Sequence, residues 1–185
     1  MANEFKKVLT PIALILVLFL GVSAYFYKNY GSKISSKESV NLKLGEIVPD
    51  FSVERLPGRE RLDLYQSKSK VTWIHFWATW CQSCVVEMPA IERVFKKYQG
   101  ADLDLIAVTL DEDPFVDVPP MIKKLKTTFP IYWSPDQSIS EVFDISFIPF
   151  SVFIDSNHKI LWVEIGDGDW DSNEMHEMID SWLKK

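Results

Sequence analysis

The two cysteines of the chain, Cys81 and Cys84, are separated by two residues and directly follow an apolar stretch, residues 71–78. A Cys-x-x-Cys pair behind a strand is typical of a dithiol that is alternately oxidised and reduced. If the pair opens a helix, the helix dipole and unpaired backbone N–H groups stabilise the thiolate of the first cysteine. The pattern therefore predicts Cys81 as the nucleophile. Cys84 is the thiol expected to attack a mixed disulfide and release the reduced partner.

Other roles of these residue types have weaker support. A structural zinc ion needs four ligands, but the chain has no further cysteine and its three histidines lack ligand spacing. A structural disulfide across so short a loop would constrain the unfolded chain less than a long-range bridge does. Aspartates alternate over residues 167–171, but the Gly and Glu that a calcium loop needs are absent. We expect neither a metal nor a cofactor.

Residues 71–89, VTWIHFWATWCQSCVVEMP, resemble the thioredoxin superfamily, most closely its membrane-anchored bacterial branch, the TlpA/ResA-like thiol-disulfide oxidoreductases. The resemblance continues upstream in residues 45–51, similar to the strand with which the family's domain begins, and downstream in Ile148-Pro149 and residues 152–155. It covers nearly all of residues 41–185. It implies an α/β, thioredoxin-like fold: a central mixed β-sheet flanked by helices, with an N-terminal β-hairpin extension and a central insertion. It also implies protein-disulfide oxidoreductase activity.

Strands and helices are predicted to alternate along this domain, as in an α/β sandwich. The apolar patterns predict strands at residues 71–77, 103–110, 131–133, 152–155 and 160–165, and helices at 85–98, 119–127, 138–143 and 172–183. The turn dipeptide Pro57-Gly58 predicts a hairpin ahead of the first core strand. Residues 111–114 are predicted as a turn, and Pro119 as a helix start because proline is favoured there. Asp171 or Ser172 is expected to cap the last helix.

The resemblance assigns three substrate-contacting positions. Pro149 matches the family's cis-proline opposite the dithiol. The backbone before that proline pairs with the substrate in the family, so Ile148 is expected to contact a partner protein. Trp80 matches the active-site tryptophan, which is expected to shield the dithiol and offer apolar surface. Gln82-Ser83 departs from the common pattern, which has Pro before the second cysteine, so the resemblance does not fix the redox potential.

Glu87 and His75 are the two candidates for proton transfer. Glu87 matches an acidic position typical of ResA-like members, where a carboxylate can relay a thiol's proton; the alternative is a solvated residue in an early helical turn. At the position of His75, thioredoxins carry a buried Asp and TlpA/ResA-like members commonly Asn. The resemblance places this strand face under the active-site helix. There a histidine can exchange a proton with Cys84, or simply be a core residue bonded to a backbone carbonyl.

A second predicted element precedes the domain. Residues 8–27 carry no charge over twenty positions, enough for a helix of about 30 Å that crosses a membrane. Lys6 and Lys7 precede it, so the positive-inside rule places residues 1–7 in the cytoplasm. Residues 28–40 are polar and predict a flexible tether to the domain at 41–185. A cleaved signal peptide is the alternative, since residues 22–24 fit a cleavage site. Either reading places the catalytic domain outside the cytoplasm, and the resemblance implies that the cell is bacterial.

Composition and resemblance together limit the partners. Residues 41–185 carry 15 Lys and Arg against 24 Asp and Glu, a net charge of −9, which argues against nucleic-acid binding. The resemblance implies protein dithiols and disulfides as substrates, with apocytochrome c during cytochrome c maturation as one candidate. It also implies a membrane thiol transporter as electron donor.

Reduction has three alternatives. The same fold can act as a disulfide oxidase or isomerase. A chaperone-like module that binds clients at the Pro149 edge would make the cysteines incidental. A peroxiredoxin-type peroxidase is excluded, because its signature needs Pro and Thr where this chain has Ile74 and Ala78.

Overall fold

A mixed β-sheet organises the residues that the computed structural model describes, 43–135 and 138–184. Within these residues the sheet has seven strands in the order β2-β1-β5-β4-β3-β6-β7. The strands are β1 (Ser52–Arg55), β2 (Arg61–Asp63), β3 (Val71–Trp77), β4 (Leu103–Thr109), β5 (Ile131–Trp133), β6 (Phe150–Asp155) and β7 (Ile160–Ile165). The helices are α1 (Gln82–Lys97), α2 (Pro114–Leu125), α3 (Ser138–Val142) and α4 (Asn173–Leu183).

Strand β3 lies inside the sheet and carries the chain to the cysteines. It is parallel to β4, with Trp77 opposite Thr109, and antiparallel to β6, with His75 opposite Ser151. All of its residues are buried, as expected for a strand covered by helices on both faces. Its side chains alternate between the two faces, so they supply two separate cores.

Helices α1, α2 and α4 cover one face of the sheet. Helix α3 and residues 48–51 cover the other face. The first core contains the two cysteines and buried side chains from β3 and these three helices, including Trp73, Trp77, Ile91, Val118 and Ile179. The second core contains Val48, Phe51, Ile74, Phe76 and Phe143. Covering both faces fixes β3 and therefore the position at which α1 begins.

Most predicted elements are confirmed, but two helix starts are not. α1 begins at Gln82, three residues before the predicted start, because Cys81 itself is the N-cap. α2 begins at Pro114 rather than at Pro119, so the predicted turn at 111–114 ends in the helix's first turn. Proline at the first helical position loses no intrahelical bond. Burial of Val118 holds the helix through Pro119, despite the backbone bond that this proline cannot make.

The N-terminal hairpin is confirmed, and the segment before it differs from expectation. β1 and β2 pair antiparallel across Pro57-Gly58, and the Leu56–Pro57 peptide bond is cis. Residues 45–51 do not form a strand: they make one isolated bridge, Ile47 with Lys159. Between β4 and β6 lie α2, β5 and α3.

The predicted membrane segment, residues 8–27, and its flanks at 1–7 and 28–40 lie outside the described residues. In the part of the chain that the structure describes, no helix is both long enough and apolar enough to cross a membrane.

Candidate active site

The dithiol lies at the start of α1 and is present as a disulfide between Cys81 and Cys84. The Cys81 sulfur accepts a hydrogen bond from the Cys84 N–H at 3.2 Å, and the Ser83 hydroxyl lies 3.5 Å from it. Cys84 is fully buried, whereas Cys81 is 7% exposed. A partner's sulfur can therefore reach Cys81 and not Cys84. Once the bond is reduced, the helix N-terminus can stabilise a Cys81 thiolate.

The loop before β6 faces this disulfide. The Ile148–Pro149 peptide bond is cis, as predicted, and the Ile148 carbonyl oxygen lies 3.7 Å from the Cys81 sulfur. The Pro149 carbonyl accepts a hydrogen bond from the Gly166 N–H at 2.9 Å, which ties this loop to the end of β7. The structure thus brings Ile148 and Pro149 to the sulfur that a partner can reach.

Two exposed aromatic side chains flank the disulfide. Trp80 precedes Cys81 and is 68% exposed; Phe147 precedes Ile148 and is 74% exposed. We call this pair the apolar rim. Trp80 was predicted from the sequence and Phe147 was not, although its position next to Ile148-Pro149 was the available signal. Exposed aromatics beside a reactive sulfur offer apolar surface to a partner.

Glu87 is buried, one helical turn beyond Cys84 on the same face of α1. Its Oε2 atom accepts hydrogen bonds from the Trp170 Nε1–H at 2.7 Å and from the Gly168 N–H at 3.0 Å. Its Oε1 atom lies 3.5 Å from His75 Nε2, and neither of these two atoms has another partner among the residues that the structure describes. Glu87 is therefore a core residue facing His75, not a solvated residue of the first turn.

His75 is fully buried on β3, and its other ring nitrogen is held by β6. Nδ1 lies 2.9 Å from the Ser151 hydroxyl oxygen, which also accepts a hydrogen bond from the Trp73 Nε1–H at 3.0 Å. A hydroxyl can donate and accept, so Ser151 can donate to Nδ1 when Nε2 carries the ring proton, or accept from an Nδ1–H when Nε2 is the acceptor that faces Glu87. The expected backbone carbonyl partner is replaced by the Ser151 hydroxyl.

The surroundings of the two groups move their pKa values in opposite directions. Burial raises the pKa of Glu87 to about 7, and the hydrogen bonds from Gly168 and Trp170 offset only part of that effect. Burial lowers the pKa of His75 to about 3. Both groups are neutral in mildly acidic solution, and Glu87 titrates near neutral pH, where a carboxyl group is an effective proton donor or acceptor.

Other polar residues near the site were not predicted. Ser151 and Trp170 hold His75 and Glu87, and Asp111 accepts hydrogen bonds from Thr79, two residues before Cys81. No group of His, Cys, Asp and Glu in the described ranges could hold a metal ion.

Comparisons with known proteins agree with this geometry. Residues 43–179 match the family model described as Redoxin. The thiol-disulfide oxidoreductase ResA of Bacillus cereus is 27% identical over 180 residues, which are 97% of this chain and 96% of that protein. ResA of Geobacillus thermodenitrificans is 30% identical over 161 residues, 86% of this chain and 87% of that protein.

A solved structure shows the same fold. The thioredoxin domain of a thiol-disulfide oxidoreductase from Bacteroides vulgatus superposes with a TM-score of 0.65 at 17% identity. The match covers 76% of this chain and 98% of that domain. The architecture, an α/β sheet with the disulfide at a helix start, is therefore thioredoxin-like.

Proposed function

The chain belongs to the Redoxin family and is a protein-disulfide oxidoreductase of the ResA-like type, and from this premise we propose that it reduces disulfides in partner proteins outside the cytoplasm. One observation carries the proposal: the disulfide at the N-terminus of α1 has one reachable sulfur, Cys81, and one buried sulfur, Cys84. This asymmetry suits a protein that accepts a client at the first sulfur and releases it with the second.

Reduction proceeds in two exchanges. The Cys81 thiolate attacks a client disulfide, forming a mixed disulfide and expelling one client thiolate. The Cys84 thiolate then attacks the Cys81 sulfur, closing the Cys81–Cys84 disulfide and releasing the second client thiolate. Two electrons pass from the protein's dithiol to the client, which takes up two protons. An external dithiol must reduce the protein again.

The loop before β6 and the apolar rim are the proposed client site. The Ile148 carbonyl, 3.7 Å from the Cys81 sulfur, can accept a hydrogen bond from the backbone of an extended client segment. Pro149 keeps the chain turned towards the dithiol. Trp80 and Phe147 then cover apolar side chains that flank the client's cysteine.

Glu87 and His75 are the proposed proton-transfer pair. Cys84 must lose its proton before it attacks the mixed disulfide, and Glu87 is the carboxyl group one helical turn away. His75, 3.5 Å from the Glu87 Oε1 atom, can donate its Nε2–H to the carboxylate and so stabilise the ionised form. The protein thus holds a proton acceptor, Glu87, that titrates near neutral pH one helical turn from the buried Cys84 thiol.

The direction of electron flow is tested by the reduction potential of the Cys81–Cys84 pair, titrated against glutathione and dithiol buffers. We expect a value near that of thioredoxin, about −270 mV, because an exported reductase must be more reducing than its clients. A value of about −120 to −180 mV would instead make the protein a disulfide oxidase or isomerase of the same fold. The Glu177→Gln variant, at an exposed position of α4, is the control and should keep the wild-type potential.

We also propose that residues 8–27 tether the domain to the outer face of the bacterial cell membrane. The uncharged run and the preceding Lys6 and Lys7 support this. A membrane thiol transporter is then the proposed electron donor, and apocytochrome c a proposed client.

The tether makes a direct prediction. The full chain should remain in the membrane pellet after alkaline carbonate extraction, and external protease should degrade its domain in spheroplasts. A chain with two aspartates replacing Leu16 and Leu18 should be released, because charges in the bilayer core oppose insertion. Release of the unaltered chain, at a mass that lacks residues 1–24, would favour the cleaved signal peptide.

A further inference from the structure

Asp111 carries a buried carboxylate beside the loop that leads to the dithiol. The residue is 5% exposed, and no Lys, Arg or His in the described ranges forms an ion pair with it. A carboxylate without a cation is costly to bury unless hydrogen-bond donors replace the water that it loses. The hydrogen-bond donors around Asp111 should therefore show which part of the chain the carboxylate holds in place.

Two threonines supply those donors. The Thr79 N–H contacts both carboxylate oxygens, at 3.2 and 3.1 Å, and the Thr79 hydroxyl donates to Oδ1 at 2.6 Å. The Thr109 hydroxyl donates to Oδ2, and its oxygen accepts from the Asp111 N–H at 3.3 Å. We call the bonds between Asp111 and Thr79 the loop clasp.

The sheet places this clasp next to the nucleophile. β3 and β4 are parallel, and beyond their last paired residues the Leu110 N–H still donates to the Trp77 carbonyl at 2.8 Å. The two chains thus leave the sheet side by side, and Asp111 meets Thr79. The Cys81 N–H donates to the Ala78 carbonyl at 3.1 Å and closes a turn over residues 78–81. Thr79 therefore lies inside the turn that presents Cys81.

We propose that Asp111 is a positioning residue for thiol-disulfide exchange: by holding Thr79 it fixes the turn at residues 78–81, and with it the place of the Cys81 sulfur against the Ile148 carbonyl. No sulfur atom takes part in the loop clasp, so it can persist in the disulfide and dithiol states alike. The inference rests on the proposed client contact at Ile148.

This role predicts a dependence on the size of the substrate. A protein disulfide must meet the Cys81 sulfur and the Ile148 backbone at once, so a shift of one against the other slows the reaction. A small aromatic disulfide, Ellman's reagent, needs only the sulfur. Loss of the clasp should slow exchange with protein disulfides and leave the small disulfide unaffected.

The chain offers a matched control far along α1. Thr128 donates its N–H and its hydroxyl to the carboxylate of Glu92, a residue only 8% exposed. Glu92 accepts the same two kinds of threonine bond as Asp111 does, but it also pairs with Lys96 at 2.9 Å, and it is joined to the segment before β5 and not to the turn at Cys81. Thr79→Val and Thr128→Val each remove one hydroxyl donor to a buried carboxylate and keep the branched shape.

The experiment measures single-turnover reaction of the reduced full chain with insulin and with Ellman's reagent, so it does not depend on the physiological direction of electron flow. We expect Thr79→Val and Asp111→Asn to react with insulin about tenfold more slowly than Thr128→Val does. With Ellman's reagent, the rates of these two variants should lie within about twofold of the Thr128→Val rate. Thr79→Ser, which keeps both donors, should recover the wild-type rate. Equal rates with insulin for Thr79→Val and Thr128→Val, or equal slowing with both disulfides, would overturn the proposal. If the wild-type chain reacts poorly with insulin but readily with Ellman's reagent, the result would contradict the proposed client site instead.

Discussion

Replacing Cys84 with Ser is expected to stop turnover and to leave the protein covalently joined to its clients. Cys81 remains the reachable nucleophile, so the first exchange still forms a mixed disulfide. Cys84 is buried behind it, and serine cannot attack the Cys81 sulfur to release the client. Steady-state reduction should fall at least about a thousandfold, because removal of an essential nucleophile leaves only slow background exchange.

The measurement is a non-reducing gel of whole cells producing Cys84→Ser, followed by mass spectrometry of the reducible adducts. Cys81→Ser is the matched control: it should be equally inactive but form no adduct, because the sulfur that clients reach is gone. Adducts at Cys84 in the Cys81→Ser variant would contradict the assignment of the nucleophile. A Cys81→Ser variant that keeps its cellular role would support a client-binding module with incidental cysteines.

Local sequence patterns were enough to predict the dithiol and the strands that present it. The Cys-x-x-Cys spacing and the apolar run of β3 are properties of neighbouring residues, and the strand is found at residues 71–77 as predicted. The start of α2 was placed wrongly because three prolines compete for the first helical turn. Only the tertiary burial of Pro114 and Val118 decides between them.

The polar partners of the site could not be found in this way. Ser151 is 76 residues from His75, and Asp111 is 32 residues from Thr79. These contacts depend on the register of β3 against β6 and on the parallel exit of β3 and β4. The contact between Asp111 and Thr79 could have been predicted, because polar residues just beyond neighbouring parallel strands meet at one edge of the sheet.

The pH dependence of stability should expose the neutral pair His75 and Glu87. Glu87 has a pKa of about 7 in the folded protein against 4.5 in the unfolded chain, so its contribution to stability is full below pH 4.5 and is lost as the pH rises to 7. His75 has a pKa of about 3 in the folded protein against 6.5 in the unfolded chain, so its contribution is full above pH 6.5 and is lost as the pH falls. Between pH 4.5 and 6.5 the two effects oppose each other.

Single substitutions should therefore reveal slopes that the wild-type protein hides. Relative to wild type, the free energy of unfolding of Glu87→Gln should rise by about 2 kcal/mol from pH 4.5 to 6.5, because only the His75 effect remains. The free energy of unfolding of His75→Asn should fall by about 2 kcal/mol over the same range, because only the Glu87 effect remains. The double variant should be parallel to wild type.

The measurement is urea unfolding of the oxidised protein at several pH values within this window. Glu87→Gln is expected to fold, because its amide oxygen can accept from Trp170 and Gly168, and its NH2 group can face His75 Nε2 as a protonated carboxyl would. Glu177→Gln, at an exposed position of α4, is the control and should be parallel to wild type. Two single variants that both remain parallel to wild type would show that these groups do not titrate as a buried neutral pair. That result would contradict the proposal that Glu87 accepts the proton of Cys84.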